Sequence, residues 1–226
     1  MTPLVKICGL NTHEALGAAL SAGADLVGFV RYPRSPRHLS LDEGRALSAR
    51  AKGKALRVAL TVDADDRELE DIVATIDPDI LQLHGEETRE RVAEVRARFG
   101  RPVMKAVGIA EEDDLAQIQT YGAVADRLLL DAKPPKIAEA LPGGNGLAFD
   151  WRLVAALDPG IPFMLSGGLR PDNVAAAIEL TGARALDVSS GVERRPGEKD
   201  PEKIERFVRA ARAAWGRLDT TKDKVA

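Results

Sequence analysis

The chain has 226 residues, 45% hydrophobic and 30% charged, enough to bury one sizeable core in a single α/β domain, with two small domains as the lesser arrangement. One cysteine excludes an internal disulfide framework, and no long apolar segment follows a basic start, so neither secretion nor membrane insertion is signalled and the cytoplasm is the expected compartment. A formal net charge of −3 with interspersed signs argues against a nucleic-acid or anionic-membrane surface and leaves a small molecule as the expected partner.

Along the chain one unit repeats, a short apolar run rich in β-branched residues followed by an amphipathic helical pattern. The runs that read as strands are Leu4 to Cys8, Asp25 to Val30, Leu56 to Val62, Ile80 to Leu83, Val103 to Val107, Arg127 to Asp131, Pro162 to Ser166 and Ala185 to Ser189. Between them, three-and-four spacing of apolar residues marks helices at Leu41 to Ala51, Leu69 to Ile76, Val92 to Phe99 and Val174 to Leu180. Eight units in this length take about 28 residues each, which suits a (β/α)₈ barrel, and continuous apolar strands are what a parallel sheet covered on both faces requires. A doubly wound open sheet is the competitor, but Gly9-Leu10-Asn11 lacks the glycine-rich turn that such a sheet usually places after its first strand. The expected organisation is one catalytic (β/α)₈ barrel over residues 1–218 and a polar, frayed tail over 219–226.

Polar residues close several strands, and in such a barrel the carboxyl ends form the active-site face. Cys8 ends the first run, His84 follows the fourth, Asp131 ends the sixth, Ser166-Gly167-Gly168 the seventh and Asp187 to Gly191 the eighth. Taken singly, Cys8 reads equally well as a small buried hydrophobe and Asp131 as a solvated loop carboxylate, but several convergent ends are hard to explain by packing. Lys6 shares the strand face of Cys8. The loops at Ser166-Gly167-Gly168-Leu169 and Ser189-Ser190-Gly191-Val192 let bare backbone N–H groups approach an anion, and loops after strands seven and eight are the usual phosphate cradle of this barrel. The segment from Lys133 to Ala148 is too long for a plain turn and suits either a cover over a ligand or a bland loop. After the second strand, Arg31, Arg34 and Arg37 lie in a proline-braced loop where a guanidinium can grip a carboxylate, and the residues alone do not rank them. His13 reads as a helix start and His38 as a loop surface, and no cluster of His, Cys and carboxylate has metal-ligand spacing.

The segments KICGL, GFVRYPRSPRHLS, LQLHGEE, LLLDAK, the GGNG loop with Phe149-Asp150-Trp151, MLSGGLRPDNV and LDVSSGVERRPG occur in order from Val5 to about Val208. Together they resemble the phosphoribosylanthranilate isomerases of tryptophan biosynthesis; SGGL alone is common among phosphate-binding barrels, whereas KICG with YPRSPR and DVSSGVE in register is specific. The resemblance implies a (β/α)₈ barrel that carries out an Amadori rearrangement of N-(5-phosphoribosyl)anthranilate without cofactor or metal, as a monomer or homodimer. It implies Cys8 as general base, Asp131 as general acid, Arg37 on the anthranilate carboxylate, Asp187 on the sugar, and the backbone of Gly168, Ser189 and Ser190 on the phosphate. On that assignment Lys6 is expected to favour the Cys8 thiolate, and Asp131 must be protonated when substrate arrives. Arg31 and the ending Thr61-Val62-Asp63 depart from the family pattern and bear on the shape of the aromatic pocket. The rivals are a histidine-pathway sugar isomerase, whose first strand would end in a carboxylate, a Schiff-base aldolase using Lys133, and a non-catalytic phosphate-binding barrel.

Overall fold

The computed structural model describes residues 2–134, 141–144, 146–155, 157 and 160–223. Eight parallel strands close into a barrel in chain order: β1 Leu4–Cys8, β2 Leu26–Arg31, β3 Leu56–Thr61, β4 Ile80–Leu83, β5 Val103–Ile109, β6 Arg127–Ala132, β7 Phe163–Leu165 and β8 Ala185–Val188. Each boundary falls within two residues of the apolar run that suggested it. Burial on both faces is the reason, since a strand covered inside and outside is apolar throughout and stops where polarity begins.

The helices are α1 His13–Ser21, α2 Leu41–Ala51, α3 Asp66–Ile76, α4 Arg89–Phe99, α5 Ala116–Gly122, α6 Val174–Thr181 and α7 Pro201–Asp223. Local chemistry sets their ends. Thr12, Ser40, Asp65 and Thr88 accept a first-turn backbone N–H at α1 to α4, and Ser40 with Glu43 completes a capping box. Gly100 and Gly182 end α4 and α6 in the left-handed conformation that favours glycine. Between β6 and β7 the described residues hold a 3₁₀ turn, Trp151–Val154, in place of a full helix. Unforeseen in the sequence is a small hairpin after β8, β9 Glu193–Arg195 with β10 Glu198–Lys199. Helix α7 continues past Asp219, which pairs with Arg184, and residues 224–226 of the expected tail lie outside the described residues.

Strand alternation sorts the barrel wall into two sets. Val5, Ile7, Val27, Phe29, Leu128, Leu130, Leu186 and Val188 point outward into the main core under the helices. Leu26, Val58, Met104, Leu129, Met164 and Ala185 point inward and fill the lower barrel. Above them the inward positions turn polar at Lys6, Gln82 and Asp187, all buried, and then open at the carboxyl rim. No helix among the described residues is long and apolar enough to cross a membrane.

Candidate active site

The carboxyl rim surrounds a cavity of about 770 Å³, mouth included, whose wall holds Cys8, Arg37, His84, Asp131 and Asp187 together with the glycine-rich loops. Cys8, Asp131 and Asp187 are all buried, and each sits at the carboxyl end of its strand on the inward alternation. Asp131 Oδ1 accepts the backbone N–H of Ala132 at 2.9 Å, while Oδ2 lies 3.5 Å from Nε2 of His84. Among the described residues no group of three His, Cys or carboxylate side chains is arranged to hold a metal ion.

Lys6 favours the Cys8 thiolate, as its place on the strand suggests, but it does not decide the net shift. Its Nζ also donates to Asp187 Oδ1 at 2.8 Å and Gln82 Oε1 at 2.7 Å. Burial works against the buried ammonium, yet Asp187 and Cys8 together outweigh it and lift Lys6 above the ordinary lysine value. Burial also pushes the Cys8 thiol up; Lys6 and Lys199 pull it down, but Asp187 adds to the rise and the net shift is upward. The thiol is therefore the favoured form: Lys6 favours the thiolate, as expected, but burial and Asp187 outweigh it.

The structure separates the three arginines that the sequence left unranked. Arg31 donates to the Leu39 carbonyl and Arg34 is exposed, whereas Arg37 is buried in the cavity wall. The edge of Arg37 formed by Nε and Nη2 is locked on Glu193 at 2.7 and 2.8 Å, and Nη2 also reaches the Gly144 carbonyl at 3.3 Å. Nη1 has no hydrogen bond among the described residues and lies against Gly144, where a Cβ would stand 2.7 Å from it. Glu193 in turn accepts from Lys199 at 2.7 Å, and Lys199 donates to the Ser189 carbonyl at 2.9 Å. Burial opposes the charged form of Glu193, but Arg37 and Lys199 hold its carboxyl below the usual range. Lys199 itself is brought down to about 8 by burial, against the pull of Glu193.

The two glycine-rich loops meet above β7 and β8. A Cβ on Gly191 would stand 1.8 Å from the Leu169 carbonyl oxygen, so only glycine lets the Ser189–Ser190 turn close on the Gly167–Gly168 loop. Gly168 has φ +66°, and a Cβ there would meet the backbone of Ala148 at 2.8 Å. From the segment after β6, Pro142, Gly143 and Gly144 line the cavity; 135–140 and Asn145 lie outside the described residues.

A family model described as N-(5'phosphoribosyl)anthranilate (PRA) isomerase matches residues 5–210. The chain belongs to that family. It is 58% identical over 213 residues to N-(5'-phosphoribosyl)anthranilate isomerase of Bradyrhizobium diazoefficiens, covering 94% of this chain and 95% of the relative. The corresponding enzyme of Azorhizobium caulinodans is 59% identical over 210 residues, covering 93% and 92%. Among solved structures, phosphoribosyl anthranilate isomerase of Thermotoga maritima superimposes with a TM-score of 0.83 at 36% identity, over 94% of this chain and all of that one. A phosphoribosyl anthranilate isomerase in complex with reduced 1-(o-carboxyphenylamino)-1-deoxyribulose 5-phosphate gives 0.81 at 34% identity, over 94% of this chain and 100% of that one.

Within this PRA isomerase barrel the structure gathers every residue assigned from the sequence around one cavity. Four others escaped assignment. His84 was visible as a strand end without a role, and Gln82, the polar residue inside an apolar run and two positions before it, is the signal that both face inward. Glu193 and Lys199 had no local signal, because a charged pair on a short hairpin looks like solvated surface until tertiary packing buries it. Lys133 points away, paired with Asp114 at 2.7 Å and raised by that hydrogen bond, so it lacks the low pKa of a Schiff-base lysine. His38, expected on a loop surface, is half-buried and bridged to Val30.

Proposed function

We propose that the protein isomerises N-(5'-phosphoribosyl)anthranilate to 1-(2-carboxyphenylamino)-1-deoxyribulose 5-phosphate by acid and base catalysis, within a catalytic barrel spanning residues 1–218. The observation that carries this reading is a single cavity holding a buried thiol, a buried carboxyl, a guanidinium and two glycine-rich backbone loops. That set matches an aromatic carboxylate, a sugar and a phosphate joined in one molecule.

The chemistry starts at the furanose ring. Asp131 gives its proton to the ring oxygen as the bond to C1′ breaks, and the anthranilate nitrogen stabilises the resulting cation as an iminium. Cys8 takes the proton from C2′, and the electron pair moves through C1′ to nitrogen, giving the neutral enolamine. Protonation at C1′ and loss of the enol proton then give the ketone. Burial pushes the Cys8 thiol up, while Lys6, Lys199 and the positive iminium favour its thiolate, which forms by loss of the thiol proton to solvent before the C2′ proton is taken. Arg37, braced by Glu193, offers Nη1 to the carboxylate, and Asp187, fixed by Lys6, faces the sugar. The backbone N–H groups of Gly168, Ser189 and Ser190 surround the phosphate. The iminium is the electron sink, so the step needs no cofactor.

The test is the decay of fluorescence of freshly prepared phosphoribosylanthranilate with and without protein. Acceleration with stoichiometric formation of the ketose supports the reading, and an unchanged decay overturns it. Loss of rate on a dephosphorylated substrate is expected if the two loops hold the phosphate.

A further inference from the structure

A line of hydrogen bonds runs beneath the cavity floor from β8 to His84, which stands in polar contact with Asp131. Lys6 Nζ donates to Asp187 Oδ1 at 2.8 Å and to Gln82 Oε1 at 2.7 Å; Gln82 Nε2 is 2.9 Å from Nδ1 of His84; and Nε2 of His84 is 3.5 Å from Asp131 Oδ2. The order of donors along this line is forced by its first member. An ammonium has only donors, so the Gln82 group facing Lys6 must be the carbonyl oxygen. The amide nitrogen then faces His84, and because it too has only donors, Nδ1 of His84 must be the acceptor. The ring proton is therefore on Nε2, the nitrogen nearest Asp131. Lys6 on β1 and Gln82 on β4 are buried at inward positions, and His84 follows β4 by one residue in the same alternation, so packing holds the base of the line in place.

The loop after β6 bears on the same pair. A Cβ on Gly143 would stand 2.6 Å from His84 Nε2 and 3.0 Å from Asp131 Oδ2, so glycine backbone lies directly over the contact. Asp131 Oδ1 is already held by the N–H of Ala132, which leaves Oδ2 as the oxygen that His84 addresses.

We propose that His84 is a positioning residue for Asp131, presented as its Nε2–H tautomer by the Lys6–Gln82 line. The role rests on reading Asp131 as the general acid: the Nε2–H restrains the carboxyl rotamer and hydrogen-bonds the carboxylate left when Asp131 delivers its proton to the ring oxygen. The Nε2–Oδ2 distance of 3.5 Å puts the two groups within reach of a hydrogen bond after a small side-chain adjustment.

The tautomer is read directly by two-bond ¹H–¹⁵N correlation on protein with ¹⁵N-labelled imidazole. Only three histidines are present, so His84→Gln assigns the signal. The expected spectrum shows one tautomer, with Nε2 protonated and Nδ1 not, and in Gln82→Met a mixture of tautomers. A wild-type ring protonated at Nδ1, at both nitrogens or in exchange between the two overturns the proposal, as does an unchanged spectrum in Gln82→Met. In turnover, His84→Leu is expected to lower kcat by about ten- to a hundredfold with KM nearly unchanged. His84→Gln, whose amide N–H reaches the same place, recovers most of it. Equal losses in the two variants, or a loss confined to KM, refute the positioning role. If the wild-type protein fails to turn over phosphoribosylanthranilate, the isomerase reading falls while the tautomer result stands or falls by itself.

Discussion

Gly28→Ala tests how tightly the barrel holds Cys8. Gly28 pairs with Cys8 across β1 and β2, and a Cβ built on it lies 2.9 Å from Cys8 Sγ and 3.0 Å from Cys8 Cα. Comfortable nonbonded contacts fall at about 3.5 to 4.0 Å, so the sulfur or the strand must yield by roughly 0.6 to 1 Å. A displacement of that size in a reacting group costs on the order of a hundredfold in rate. Overpacking of this kind destabilises by about 1 to 3 kcal/mol, equivalent to roughly 2 to 12 °C in Tm for a chain of this length. The assays are fluorescence decay of phosphoribosylanthranilate and thermal unfolding. Gly17→Ala is the control, since a Cβ in that helix finds its nearest neighbour, Arg50 Nη2, at 3.9 Å, and it should be neutral or up to about 1 kcal/mol more stable. A folded Gly28→Ala variant with kcat within threefold of wild type would refute the claim that the thiol must sit where β2 leaves room for it.

Cys8→Ala and Asp131→Asn should each fold and lose about 10²- to 10⁴-fold in kcat, measured in the same decay assay, and near-normal turnover in either removes it from the mechanism. Arg37→Met should lower kcat/KM by roughly tenfold to a hundredfold on the anthranilate adduct of phosphoribose and little on the aniline adduct, whereas Arg31→Met and Arg34→Met should keep the preference; Glu193→Gln, which frees the braced edge of Arg37, should weaken it partly. Lys199 ionises at about 8 when folded and at its ordinary value of 10.5 when unfolded, so between those pH values the unfolded chain binds more protons and unfolding free energy rises with pH. That rise is worth about 3 kcal/mol and should vanish in Lys199→Met, so denaturant titrations giving a wild-type minus variant difference that stays flat from pH 7.5 to 10.5 would contradict it.

The sequence by itself determined the barrel. Strands buried on both faces had to be largely apolar along their length, so the runs Leu56 to Val62 and Arg127 to Asp131 announced strands that end within one residue of them, at Thr61 and Ala132, and three-and-four apolar spacing announced helices such as Leu41 to Ala51 and Val92 to Phe99. It also placed Cys8, Asp131 and Asp187, because strand period and strand ordinal together say which polar residue faces the mouth. What only the tertiary structure decided was how those groups are charged and oriented. Lys6 and Cys8 are neighbours on one strand face, but the partner that claims the ammonium comes from β8, which is distant in sequence and adjacent through barrel closure. Arg37 stands apart from Arg31 and Arg34 only because Glu193, on a hairpin at the far end of the chain, binds one edge of its guanidinium. Local patterns are written by the solvent and core that each segment meets, whereas pKa values, rotamers and tautomers follow from which charges lie a few ångströms away, and closing the barrel is what brings those charges together.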